Sequence, residues 1–562
     1  MMNKKRGNHT KHAGAYSRRS FLQALLGAGV SGSLGVGGQL ALMRQATAAS
    51  PGFSDYKALV CVLLNGGNDS LNMLIPFGSE PGQSYEDYAA IRGDLAVANN
   101  DLGLASVSSV NGNINGAPLG QGSDNPYYAN HSTIGAYKKG LYELTAKSIP
   151  LAVNGLMPEL AQLIIDDKAS ILSNIGNLVR PVSRSGILNE TADLPLFLFA
   201  HNHQRRALQT GRGDDLNDIG WAGRIADDWL GVNDNHPLGL NISYAGNTPM
   251  MLGKSTAPLV LTSGIPPEYK AMEFRRGAGQ NDRRALFKAL AGQQGQSRNV
   301  AFRADSVAQT IDPFRNFYHR SLLKSMQVFD ALSEAWPDGG TRYSSKDTYG
   351  NPLFSVPSAD TLGLDSPLRG AFIRELQNIA TMIDLGARNA FTAGTYNRQI
   401  FMVSLNGFDT HGAQSGRHAP LLRELSLGLW SFQKAMEELG HANKVLTYTM
   451  SEFGRTVSNN GDGTDHGWGA HHLIMGGDGT NRNGQFQGGK IVGKLPDIRL
   501  GSKDDYRDKG RLIPGIAQDQ LNATLCDWLG VDEHLMARVF PNVQNFSADG
   551  RLRSAYLNQL FA

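Results

Sequence analysis

Short, nearly continuous apolar runs recur along the chain at wide intervals: 57–64 (KALVCVLL), 169–175 (ASILSNI), 258–262 (PLVLT), 399–405 (QIFMVSL) and 444–450 (KVLTYTM). Runs of this length without polar alternation predict strands buried on both faces of a sheet. Between them the apolar spacing lengthens to a helical period. Residues 369–385 read as one helix. A second begins near Pro420 and places Leu421, Leu422, Leu425, Leu429, Phe432, Met436 and Leu439 on one broad face, until Gly440 stops it. The stretch 399–450 is therefore strand, long loop, helix, strand. A βαβ unit of this kind predicts an α/β fold, three-layer α/β/α, with a mainly parallel sheet.

Three regions do not fit that alternation. Residues 78–145 are rich in Gly, Ser and Asn, and 336–366 are polar and turn-rich, longer than a plain connection needs. Both read as insertions into the α/β core, and 277–299 as a polar, glutamine-rich segment. No internal repeat is visible.

The N-terminus changes the picture of charge. Lys4, Lys5, Arg6, Lys11, Arg18 and Arg19 precede a glycine-rich, weakly apolar stretch, 25–42, and a small-x-small site, Ala46-Thr47-Ala48. Ser17-Arg18-Arg19-Ser20-Phe21-Leu22 is a twin-arginine motif. Residues 1–48 thus read as a signal peptide for the twin-arginine translocase, with a periplasmic or extracellular destination. The stretch has too few large apolar residues for a membrane anchor, which needs ~20 mostly apolar positions. The whole chain carries 53 basic and 50 acidic residues, a charge of +3. Removing the seven basic residues of the leader, which has no acidic ones, leaves −4. That balance gives no basic face for nucleic acid. The two cysteines, Cys61 and Cys526, lie in apolar surroundings with no CxxC or zinc-finger spacing, and read as buried small hydrophobes.

Candidate chemistry gathers after three of the predicted strands. In parallel α/β sheets, ligands bind beyond the carboxyl ends of the strands. There the chain reads Asn65-Gly66-Gly67-Asn68-Asp69-Ser70-Leu71-Asn72, then Asn406-Gly407-Phe408-Asp409-Thr410-His411-Gly412, then Ser451-Glu452-Phe453-Gly454-Arg455-Thr456. Gly463-Thr464-Asp465-His466-Gly467 and His471-His472 follow soon after. If the three strands are parallel neighbours, Asp69, Asp409, His411, Glu452, Asp465 and His466 meet at one sheet edge. Carboxylates and imidazoles together suit a divalent cation such as zinc, manganese or calcium. So many unneutralised carboxylates need a cation to stay together.

These motifs, NGGNDSLN, NGFDTHG, SEFGRT and GTDHGWGAHH in this order, resemble the exported bacterial family DUF1501. HQRRALQTG with GWAGRIAD, and CDWLGV with VFPN, fit the same family, and the resemblance spans essentially the whole mature chain. That family is similar to the alkaline phosphatase and sulfatase superfamily. The resemblance implies a three-layer α/β/α fold and a two-metal site acting on phosphate or sulfate esters. It implies Asp69 as the metal-binding aspartate of the first strand, and Asp409 with His411, joined by His418, as the later metal pair. Glu452 or Asp465 takes the place of a further carboxylate, His466 that of an imidazole, and His471 or His472 that of the last ligand. Relatives carry a serine where this chain has Ala200, in Phe199-Ala200-His201-Asn202-His203-Gln204. No CxPxR sulfatase motif occurs. Ser70, Ser183 and Ser185 remain as nucleophile candidates, and Arg455 or Arg205 as the guanidinium for a non-bridging oxygen.

The leading expectation is an exported metal-dependent hydrolase for a small anionic ester or a polysaccharide-type substrate. The rival is a non-catalytic binding or assembly protein that keeps the hydrolase fold, favoured by Ala200 and Phe453.

Overall fold

The structure is a computed structural model. It describes residues 52–100, 102, 113–114, 117–118, 140–233, 236–264, 327–328, 330–337, 341–392, 394–480, 482 and 484–561. The leader, much of 78–145 and all of 277–299 lie outside these residues.

The strand Lys57–Asn65 occupies the middle of a nine-stranded sheet. Arg398–Asn406 pairs with it in parallel on one side and Val445–Met450 in parallel on the other. Beyond Arg398–Asn406 come Asn241–Ser243 and Leu259–Val260, both parallel. Beyond Val445–Met450 come Ala470–Gly476 and then Ala169–Gly176, which also pairs with Ile491–Val492 and Ile516–Ala517. Among the described strands of this sheet, only Ala470–Gly476 runs antiparallel to its neighbours. All five apolar runs are strands, and the sheet is mainly parallel.

The central strand explains the layers. Successive side chains of a strand point to opposite faces. Ala58, Val60, Val62 and Leu64 enter one hydrophobic core with Phe372, Leu376 and Ile383 of the helix Ala371–Ala387 and Leu422, Leu425 and Phe432 of the helix Gln414–Glu438. Leu59, Cys61 and Leu63 enter a second core with Trp221 and Ile225 of Trp221–Asp228 and Leu521 and Leu525 of Gln518–Leu529. The result is a three-layer α/β/α sandwich. Cys61 and Cys526 are both buried and unpaired, and burial pushes the Cys61 thiol up to about 12.

The long helix starts at Gln414, ahead of Pro420, where the sequence places its beginning. Proline is favoured in a first turn, which draws the sequence reading to it, yet here it sits inside the helix. The start is fixed from outside the helix: Asp462 accepts the Ala413 N–H at 2.9 Å through Oδ2, and its carbonyl accepts the Gln414 N–H. Residues 341–366 form a mostly irregular segment that meets the C-terminal end of this helix and the helix Pro158–Ile165. Thr348 donates to buried Glu159 at 2.6 Å, and Glu438 accepts the Ser344 N–H at 2.7 Å. No helix among the described residues is long and apolar enough to cross a membrane.

Candidate metal centre

Register delivers the three motif loops to one edge. Asn65 pairs with Asn406 and Leu63 with Met450, so the segments after residues 65, 406 and 450 leave the sheet side by side. The antiparallel strand Ala470–Gly476 enters at that same edge, which brings the Asp465-His466 segment back to it. Gly66 and Gly67 permit the close approach. A Cβ on Gly66 would lie 2.4 Å from the Asp409 nitrogen, and one on Gly67 would lie 2.5 Å from the Phe453 ring. Both glycines also have positive φ.

Arg455 ties the loops together. Its Nε donates to Gly67 O at 2.8 Å, Nη1 to Thr464 O at 3.1 Å, and Nη2 to Gly66 O at 2.6 Å, Phe408 O at 3.1 Å and the Asp409 carboxylate. The side chain is fully buried and each of its nitrogens donates within the protein, so it braces the loops around Asp409.

Three histidines surround Asp409 Oδ1. His201 Nε2 lies 3.3 Å from it, His411 Nε2 3.2 Å and His466 Nε2 3.6 Å. His201, Asp409 and His466 form a group whose ligand atoms all lie within 4.8 Å of one another. His411 Nε2 approaches His466 Nε2 at 2.9 Å. On each ring the other nitrogen faces an oxygen that only accepts. His201 Nδ1 meets Glu452 Oε1 at 3.0 Å, His411 Nδ1 meets Asp465 Oδ1 at 3.1 Å, and His466 Nδ1 meets the Phe199 carbonyl at 2.8 Å. Each Nδ1 therefore donates to its oxygen, and each Nε2 is turned toward Asp409. Phe199 holds φ at 72°, a costly backbone for an aromatic residue, while presenting that carbonyl.

Phe453 packs its ring 4.7 Å from that of His201 and 4.6 Å from that of His466 and covers that side of the cluster. Burial alone would raise the Asp409 carboxyl. The bonded Arg455 guanidinium, with His201 and His411, outweighs it and holds Asp409 below the usual carboxylate range. Burial, with His201, Arg455 and His411 near, depresses His466, against the opposing bond to Phe199.

The remaining expected site residues have other duties. Asp69 is buried in a two-pronged pair with Arg92, at 2.8 and 2.7 Å, and its Oδ2 also accepts from Gln414 Nε2 at 2.5 Å. Gln414 Oε1 in turn accepts from Thr410 at 3.1 Å and Thr464 at 2.6 Å. Asp69 therefore anchors the two ligand-bearing loops from below and is not among the clustered donors. Ser70 is buried, and its Oγ accepts the His471 N–H at 2.9 Å, away from the histidine cluster. Ser183 caps a short helix and bonds Ser185. His471 lies inside the antiparallel strand and accepts the Asn174 N–H at 3.2 Å; it too stands outside the cluster. His418 is buried against Asn68 Oδ1 at 3.0 Å. Glu452 stands behind His201, and Asp465 behind His411.

His201 is the residue that sequence reasoning missed. It opens the helix His201–Thr210, directly after Ala200, the position weighed only for its lack of a hydroxyl. An imidazole at the first position of a helix that follows a run of bulky apolar residues was the available signal.

None of the curated proteins matches the chain. Among solved structures, Ps i-CgsB in complex with k-i-k-neocarrahexaose is similar at 11% identity over 67% of this chain and 68% of that one, with a TM-score of 0.29. Another structure of Ps i-CgsB is 10% identical over 70% and 72%, with a TM-score of 0.28. Likeness this slight carries no argument about fold or function. A family match is found for 385–546, the stretch that holds Asp409, His411, Glu452, Asp465 and His466, whereas Asp69 and His201 lie outside it. Residues 385–546 match the model of the family described as "Protein of unknown function (DUF1501)".

Proposed function

We propose that His201, His411, His466 and Asp409 hold a divalent ion, and that the mature protein hydrolyses phosphate or sulfate esters outside the cytoplasm. One observation carries the reading. The Nε2 atoms of His201, His411 and His466 lie 3.3, 3.2 and 3.6 Å from Asp409 Oδ1, and His201, Asp409 and His466 bring their donor atoms within 4.8 Å of one another, a set that suits a divalent ion. The donor set, rich in imidazole, favours zinc or manganese; calcium takes oxygen ligands. Expectation and geometry differ on nuclearity: Asp69 is spent on Arg92, so the reading is one ion rather than two.

A divalent ion held there would supply a water of lowered pKa and positive charge against the ester oxygens. The chain's own residues supply the rest. Asp409 is half exposed and opens the cluster to solvent. Arg205, one helical turn beyond His201, donates to Asn65 Oδ1 at 2.6 Å and Asn202 Oδ1 at 2.9 Å, using two of its five donors. Arg369 donates to Asn406 O at 3.2 Å. These two arginines, tethered to the paired strand ends Asn65 and Asn406, suit the non-reacting oxygens of an anionic ester. Ala200 offers no hydroxyl, and Ser70 is engaged with the backbone, so water is the nucleophile.

The test is metal analysis of the purified mature chain, followed by turnover of aryl phosphate and aryl sulfate esters. We expect about one ion per chain and hydrolysis of one ester class, with Asp409→Ala losing both, as removal of a direct ligand requires. Stoichiometric metal retained by D409A would overturn the assignment. Metal bound without turnover of either ester would favour the binding-module alternative.

A further inference from the structure

We infer that Glu452 is the positioning carboxylate of this centre. It sets the tautomer and aim of His201, and it supplies a buried negative charge that a cation across the imidazole balances. The inference rests on the metal-centre reading above.

The Glu452 side chain is fully buried. Its Oε1 accepts two N–H groups, from Gly66 at 3.0 Å and from His201 Nδ1 at 3.0 Å. Its Oε2 is buried and has no hydrogen-bond partner. Among the described residues its one ion-pair contact is His201, with no lysine or arginine. Arg455, the nearby guanidinium, is paired with Asp409. The His201 ring therefore stands between two carboxylates, Glu452 on Nδ1 and Asp409 on Nε2, and that Nε2 has no hydrogen-bond partner of its own.

A buried carboxylate whose partners are one imidazole N–H and one backbone amide, with no lysine or arginine, is costly. A cation on the far nitrogen changes this. It draws electron density through the ring, strengthens the Nδ1–H bond to Glu452 and compensates its charge. Conversely, the carboxylate raises the basicity of His201 as a ligand, as outer partners of metal-bound histidines do. A purely structural Glu452, there only to hold the Gly66 N–H, would gain nothing from its charge, since a neutral amide oxygen accepts that bond equally well.

The substitution Glu452→Gln separates the two roles, because its amide oxygen can still accept both N–H groups while the charge is gone. The experiment uses the full mature chain, stripped with EDTA and titrated with zinc against a chromophoric chelator, with thermal melts of the metal-free and zinc-loaded forms. We expect E452Q to bind zinc about 10–100-fold more weakly than wild type. We also expect its metal-free form to melt higher than wild type and its gain on zinc loading to be smaller. In a His201→Ala background, E452Q should leave residual zinc affinity unchanged. The inference is overturned if E452Q binds zinc as tightly as wild type, or if it destabilises the metal-free and loaded forms equally. Failure of the wild type itself to take up zinc or manganese would overturn the centre and this inference together, whereas tight wild-type binding with an unaffected E452Q would remove this inference alone.

Discussion

Asp69 and Asp409 each follow closely on a strand end and a glycine, yet their surroundings separate them. Asp69 has both oxygens bonded by buried Arg92 and a third bond from Gln414. Asp409 keeps one edge in solvent and gathers three imidazoles. The difference is testable by what each substitution costs. Asp69→Ala leaves the Arg92 guanidinium buried and unpaired, so it should lower unfolding free energy by about 3–5 kcal/mol. It should do so equally with and without metal, measured by denaturant titration. A loss seen only in the loaded protein would return Asp69 to the list of ligands. Residue types alone could not reveal this, because Arg92 lies in a stretch with no motif. Its bond to Asp69 joins segments that only the folded chain brings together.

At the scale of elements, the sequence was most legible where burial is simplest. The runs 57–64, 169–175, 399–405 and 444–450 are apolar because both faces are covered, and their bounds agree with the observed strands within a residue or two. The predicted apolar face of the long helix, Leu421 to Met436, lies in one core. What escaped was Ala470–Gly476, whose two adjacent histidines hide a strand buried along its whole length. Those histidines make a pH prediction. Burial pushes His471 down to about 4, and burial with the neighbouring His471 pushes His472 down to about 3. In the unfolded chain imidazoles titrate near ~6.5. Below that pH the unfolded state takes up protons that the folded state refuses, so stability falls as pH drops from ~6.5 toward 4, and the pair has no effect above it. His472→Leu should reduce that acid slope by up to about 1.4 kcal/mol per pH unit, the value for one proton. Urea unfolding of both proteins at a series of pH values reads it directly, and an unchanged slope would mean that His472 is not held neutral.

For the whole molecule, the leader and the folded unit make a joint claim. Replacing Arg18 and Arg19 by lysine should leave unprocessed precursor in the cytoplasm, detected by immunoblot of cell fractions. Processed protein in the periplasm from that double variant would remove the twin-arginine reading. The spread of the centre along the chain bears on when it forms. His466 is fixed by a carbonyl 267 residues away, and His201 by a carboxylate 251 residues away. Contacts this distant in sequence carry a loop-closure cost and go with slow folding. The emerging chain holds the full donor set only once residue 466 has been made, long after the helix His201–Thr210 that brings His201. Loading of the proposed centre would thus be coupled to the meeting of segments far apart in the chain. A cell that translocates this protein unfolded would have to load it outside, from whatever ions the periplasm holds. One that translocates it folded chooses the metal in the cytoplasm.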